Sequence, residues 1–152
     1  MTAPKKRKTL RSDAKAMVEE CAGWNARLAA RCISQFLDRE LAQSGLSIGQ
    51  IGLMAQIAAA TDDTMGALAK RAGLEQSTFS RNLRVLAAAG LIEIALVEAD
   101  QRRRAVWLTE TGARRLEATI PLWRKAQAKL AKQLSLALPR RLAQAAQALV
   151  VE

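Results

Sequence analysis

The spacing of apolar residues divides the chain into helical and extended segments. From Ser12 to Ala42, Met17, Cys21, Trp24, Leu28, Cys32 and Phe36 recur at three- and four-residue steps, which lays one apolar stripe along a helix. Glu20, Arg27, Arg31 and Asp38 fall on its other side. Ser12 or Asp13 can cap the start, and Gly45 lies just past the end. A helix of about thirty residues is long for so small a chain, so part of the stripe is expected to meet a partner subunit.

Ser47 then caps a second helix, with Ile48, Ile51, Leu53, Met54 and Ile57 at its apolar positions, ending before the acidic turn Thr61–Asp63. Thr64 to Gly90 reads as two helices around a tight turn. Leu68 and Ala69 are the inward residues of the first, Ala72-Gly73-Leu74 makes the turn, and Phe79, Leu83 and Leu86 face inward on the second. Leu91 to Val97 alternates Ile92, Ile94 and Leu96 on one face, and Ala105 to Leu108 is a second short apolar strand. The charged run Glu98–Arg104 lies between them as a hairpin tip. A helix-turn-helix followed directly by a basic hairpin is a winged helix, and the combination is far more specific than either half.

The rest is helical. Thr109 caps a helix with Glu110 in its first turn. Leu116, Ile120, Trp123, Gln127, Leu130 and Leu134 form a coiled-coil-like seam. Pro121 is expected to kink it, and Pro139 to restart a last helix carrying Leu142, Ala145, Ala146 and Leu149. The expected fold class is therefore mainly α with a small β-hairpin wing. A basic disordered arm occupies residues 1–11, an N-terminal dimerisation helix 12–46, a winged helix-turn-helix lobe 47–108, and C-terminal dimerisation helices 109–152.

Composition narrows the function. Among 152 residues there is no histidine, which removes histidine general bases, Ser-His-Asp triads and imidazole metal sites. Cys21 and Cys32 alone are too few for a structural zinc site. The remaining carboxylate pairs, Asp62-Asp63 and Glu19-Glu20, are sequence neighbours that do not converge on one point, so no enzyme is expected and no metal. The net charge of +10 points to a polyanion, and the scarcity of aromatic residues favours duplex DNA over single-stranded RNA. Residues 1–11 carry five basic side chains and no acidic one. The string PKKRK in that arm reads as a phosphate-seeking arm or a plain solvated tail, with a nuclear localisation signal as the remaining alternative. No apolar run follows it as in a secretory signal, and the uncharged stretch 41–61 is too broken by polar residues and glycines to span a membrane. A cytoplasmic protein without membrane attachment is expected.

The stretch LAKRAGLEQSTFSRNLRVLAAAGLIEI, the DQRRRAVWLTETG after it and PLWRKAQ downstream resemble MarR-family transcriptional regulators over roughly residues 15–150. The most specific pieces are Ser80-Arg81, Asp100-x-Arg102 and Leu108-Thr109-x-x-Gly112. The resemblance implies a bacterial or archaeal homodimer of winged helices on double-stranded DNA, at a near-palindromic operator, usually as a repressor. It also implies release by a small phenolic or aromatic-acid effector, or by an oxidant; no cofactor is implied.

On that reading the second helix of the motif is the recognition helix, offering Gln76, Ser77, Thr78, Ser80, Arg81 and Arg84. Gln76, Ser77 and Arg81 suit base edges, and Ser80 and Arg84 suit phosphates. In the wing, Arg102 suits minor-groove insertion, with Asp100 implied by the resemblance as its orienting carboxylate. Arg103 and Arg104 either clamp phosphates or form a solvated strand face. Cys21 and Cys32 lie about 16 Å apart along one helix and cannot bridge each other there. They sense oxidants only through an inter-subunit bond or a lone sulfenic acid, and otherwise are small apolar residues. Trp24 and Met54 read either as effector-pocket walls or as plain core, and Arg27 and Arg31 either as a carboxylate anchor or as a solvated polar face. A nonspecific architectural DNA binder and a winged-helix module for protein–protein assembly stand as alternatives, distinguished by whether the polar recognition face reads sequence.

Overall fold

The structure, a computed structural model, describes the backbone of residues 4–149 and the side chains of residues 9–99 and 103–149. The chain divides into two compact units, residues 1–36 and 37–152.

The first unit is helical. α1 spans Pro4–Glu20, and α2 starts at Ala22 and runs on to Glu40 in the second unit. Residues 4–11, expected as a disordered arm, instead form the first turns of α1. Proline is favoured at the first helical position, and lysine and arginine are good helix formers, so this basic run carries its own helical preference. The single helix expected from Ser12 is interrupted at Cys21, although backbone bonds still enter and leave that residue (Cys21 N–H to Met17 O, Asn25 N–H to Cys21 O). The Asn25 side-chain amide donates to Glu19 O across the interruption. Met17, Trp24 and Leu28 are exposed in this unit, as are both cysteines.

The second unit holds the core. After a 3-10 turn at Ala42–Ser44 come α3 (Ile48–Ala59), α4 (Met65–Ala72) and α5 (Gln76–Ala88). A capping box starts α3: Ser47 Oγ accepts from Gln50 N–H while Gln50 Oε1 accepts from Ser47 N–H. The turn between α4 and α5 depends on Gly73 in the left-handed region at φ 65°. There its N–H reaches Lys70 O and the next N–H reaches Ala69 O. Leu68, Phe79, Leu83 and Leu86 are fully buried around this corner, with Met54 of α3 beneath them.

The wing is the antiparallel pair β1 (Ile92–Val97) and β2 (Asp100–Leu108). Ile92 faces Leu108 and Leu96 faces Arg104, and the register slips between Leu96 and Val97 so that Val97 faces Asp100. The charged run expected as the tip is therefore mostly strand. Glu98 and Ala99 alone make the turn, because β2 pairs as far back as Asp100. An isolated bridge joins Thr64 to Ala105, so the loop before α4 extends the sheet by one residue.

The helix α6 spans Glu110–Ala131 and continues through Pro121, and α7 spans Ala137–Gln147 with Pro139 in its first turn, two residues after the helix has begun. The expected seam of α6 is buried only in part: Leu130 is buried and Leu116, Gln127 and Leu134 are half-buried. Gly112, Thr119, Ala126 and Leu130 are buried, while Ile120 and Trp123 stay exposed. Small residues let the first part of α6 approach closely, Leu130 is covered near its end, and Ile120 and Trp123 are left outside. α7 buries nothing. Among the described residues no helix is long and apolar enough to cross a membrane.

Candidate nucleic-acid interface

Burial of Phe79, Leu83 and Leu86 fixes which face of α5 looks outward. At about 100° per residue, Ser77, Arg81 and Arg84 lie opposite that stripe. All three are exposed, and so are Gln76 and Thr78 on the two flanks, while Ser80 is partly buried. The six residues expected to contact DNA thus separate into an outward set and a flank. Gln76 and Ser80 form the flank that turns toward the wing. They share a cavity of about 520 Å³ with Asp62, Gly66, Arg103 and Arg104, so the sheet and the recognition helix close on one space.

Arg103 and Arg104 are exposed on β2. The side chains of Asp100 and Arg102 lie outside the described residues, and with them the expected pairing of carboxylate and arginine at the tip.

The loop Thr61–Thr64 has a larger part than its sequence suggested. Asp62 Oδ1 accepts from Thr64 N–H at 3.0 Å, Arg71 Nη2 donates to Asp62 O at 2.9 Å, and Val106 N–H donates to Asp63 O at 3.0 Å. The sequence marked this only as an acidic turn whose neighbouring carboxylates do not converge on one point. The signal that could have found it is an Asp two residues before a helix-capping Thr, the pattern of a side chain folding back on its own backbone. The bond from the Thr64 backbone N–H, chiefly, and the Thr64 hydroxyl hold the Asp62 carboxyl below the ordinary aspartate range; burial opposes them in part, and the charges of Arg103 and then Arg71 add the smallest lowering effects.

A lowered folded-state pKa stabilises the fold above the unfolded value, near 3.9, and is lost as pH falls through the folded value. The difference in melting temperature between the unaltered chain and Asp62→Asn is therefore expected to stay constant from pH 8 to pH 5. It should shrink in acid below about pH 4, and calorimetry across that range checks it.

A second, apolar groove of about 620 Å³ runs between α3 and α6, walled by Ile51, Ala55, Leu116, Ile120 and Trp123 with Arg124 at its edge. Of the two candidate walls, Met54 takes the core reading at 0% exposure, and Trp24 is not core, being 55% exposed in the first unit. Arg27 and Arg31 are exposed there too. No group of three or more potential metal ligands occurs among the described residues.

Part of the C-terminal positive charge is committed to structure. Arg115 donates through Nε and Nη2 to Ser44 O at 3.0 and 2.7 Å, Lys129 pairs with Glu40 at 2.6 Å, and Arg114 pairs with Glu110 one helical turn away.

The sequence model of the MarR family matches residues 44–103, which include the helix-turn-helix and most of the wing. Comparison with curated proteins gives no match. Among solved structures, the Mycobacterium tuberculosis transcriptional regulator MosR in complex with DNA is 36% identical. It superposes with a TM-score of 0.76, over 87% of this chain and 100% of that one. A MarR variant from Escherichia coli with operator DNA is 20% identical, with a TM-score of 0.73 over 90% and 98% of the two chains. Staphylococcus aureus MepR with DNA is 23% identical, with a TM-score of 0.67 over 83% and 93%. The last two establish likeness of fold.

Proposed function

Because the chain belongs to the MarR family, we propose that it is a DNA-binding transcriptional regulator that acts as a twofold dimer on a near-palindromic operator, as a repressor. One observation carries this reading: the wing-side flank of α5, through Gln76 and Ser80, and Arg103 and Arg104 of β2 border a single cavity, so one approach presents the helix and the strand to a duplex. A helix of this size fits the major groove, while the strand arginines lie where the adjoining backbone and minor groove pass. Arg81 and Ser77 read base edges, with Gln76 reading from the wing-side flank. Thr78, on the opposite flank, Ser80, Arg84, Arg103 and Arg104 hold phosphates.

Dimerisation rests on apolar surface that each unit leaves open. Met17, Trp24 and Leu28 are exposed in the first, and Leu138 and Leu142 of α7 in the second, at 56% and 55%. Changing Leu138 and Leu142 together to glutamate is expected to convert dimer to monomer in sedimentation equilibrium. DNA affinity should fall with it, because a monomer grips only one of the two half-sites. The effector is a small aromatic acid seated in the groove between α3 and α6, with Trp123 against its ring and Arg124 toward its carboxylate.

The test of the whole reading is to incubate the purified protein with fragmented genomic DNA at physiological salt and sequence what is retained. An inverted repeat with half-sites about one helical turn apart supports a sequence-reading dimer. Uniform recovery that fades steeply with salt supports the architectural reading instead. No retention favours assembly with a protein partner.

A further inference from the structure

The loop before α4 ties the second wing strand to α4. Its Asp63 carbonyl accepts from Val106 in β2, its Thr64 pairs with Ala105, and its Asp62 carbonyl accepts from Arg71 at the far end of α4. Asp62 lines the same cavity as Arg103, Gln76 and Ser80. A carboxylate on a surface that meets phosphates is unfavourable by charge alone, so its effect on binding has a sign that can be measured.

We propose that Asp62 is a positioning residue for DNA binding: its carboxylate holds Arg103 over the cavity shared with Gln76 and Ser80, aimed at a backbone phosphate, which sets the wing against the recognition helix. This rests on the regulator reading above. The carboxylate has two separable jobs. Its Oδ1 closes the turn on Thr64 N–H, which asparagine also does; its charge orders the guanidinium, which asparagine does not. Asp62→Asn therefore removes the second job and keeps the first.

The experiment measures affinity for a DNA fragment retained in the genomic selection, over a range of salt, for the unaltered chain, Asp62→Asn, Arg103→Gln and the double variant. Asp62→Asn is expected to weaken binding about fivefold or more and to lower the salt slope by about 0.9 for each phosphate left unneutralised, as Arg103→Gln does. In the Arg103→Gln background the same change should have no weakening effect, because there is no guanidinium left to position. A purely structural role for Asp62 would lower the melting temperature without moving the salt slope. Tighter binding by Asp62→Asn, or equal weakening in both backgrounds, would overturn the proposal. If Asp62→Asn does not fold, Asp62→Ser, whose hydroxyl also accepts from Thr64 N–H, carries the same comparison. Absence of binding by the unaltered chain would overturn the regulator reading and this proposal together, whereas DNA binding that Asp62→Asn strengthens removes this proposal alone.

Discussion

Replacing Gly112 with alanine is expected to destabilise the second unit by about 3 kcal/mol, the upper end for forcing volume into packed structure. A Cβ at this position would lie 1.9 Å from Leu91 O and 2.8 Å from Leu91 C, both backbone atoms that no rotamer change can move aside. The segment they belong to is pinned on all sides. Leu91 N–H reaches back to Leu86 O at the end of the recognition helix, and Leu91 O accepts from Thr109 N–H. The Thr109 hydroxyl donates to Gly90 O at 2.6 Å and accepts from Gly112 N–H at 3.0 Å, so the start of α6 is docked on the turn that launches the wing. Relief requires shifting α6 away from β1 or bending the turn, and either move displaces the wing. At about 4 °C per kcal/mol for a unit of this size, the melting temperature should fall by about 10 °C or more. Gly52→Ala is the control: a Cβ there meets nothing within 4 Å, and removing a mid-helix glycine should stabilise by about 0.5–1 kcal/mol. If Gly112→Ala melts with the unaltered chain, α6 does not approach Leu91 this closely.

The same close approach explains how far the sequence can be read. Leu108-Thr109-x-x-Gly112 is visible as a distinctive string, but its meaning, a helix start packed against a backbone carbonyl, depends on Leu91 about twenty residues away. Where periodicity and burial depend on the same neighbour, expectation and structure agree. Ile51, Leu53, Met54 and Ile57, and then Leu68, Phe79, Leu83 and Leu86, are all buried as expected. Periodicity misleads on α6, where Ile120 and Trp123 mark a face that wants cover and Thr119 and Ala126 mark the face that has it inside the chain. Apolar spacing reports demand for burial, and it does not say which surface of the molecule or of a partner meets the demand. The second wing strand is longer than expected for a related reason. Arg104 sits in β2 because the backbone ladder continues there opposite Leu96, irrespective of side-chain polarity, and Arg103 follows in the register slip that takes Val97 to Asp100. The part played by Asp62 is hidden in the sequence because only folding brings Arg71 of α4 to its carbonyl and places Arg103 of β2 on the same cavity.

Arg81→Ala is expected to weaken operator binding by about 1–3 kcal/mol per half-site, so by about thirtyfold to about twenty-thousandfold in a dimer that uses two. The reason is where Phe79, Leu83 and Leu86 leave it. With those three buried, Arg81 projects almost directly away from the core, beside Ser77 one turn earlier, and it is the long bidentate donor on that outward face closest to the helix start. Arg84 is also outward but lies farther along α5, where a helix entering the groove by its first turns leaves the bases and nears the backbone. The two arginines should therefore differ in kind. Competition binding against the operator and a scrambled duplex separates them: Arg81→Ala should erase most of the preference for the operator while leaving much of the affinity for scrambled DNA. Arg84→Ala should weaken both duplexes alike and lower the salt slope by about 0.9 for each phosphate released. Equal losses on both duplexes for Arg81→Ala would make it a phosphate ligand. The reading of sequence would then have to pass to Gln76 and Ser77, and the wing-side flank of α5, closer to Arg103, would be the part of the helix that enters the groove.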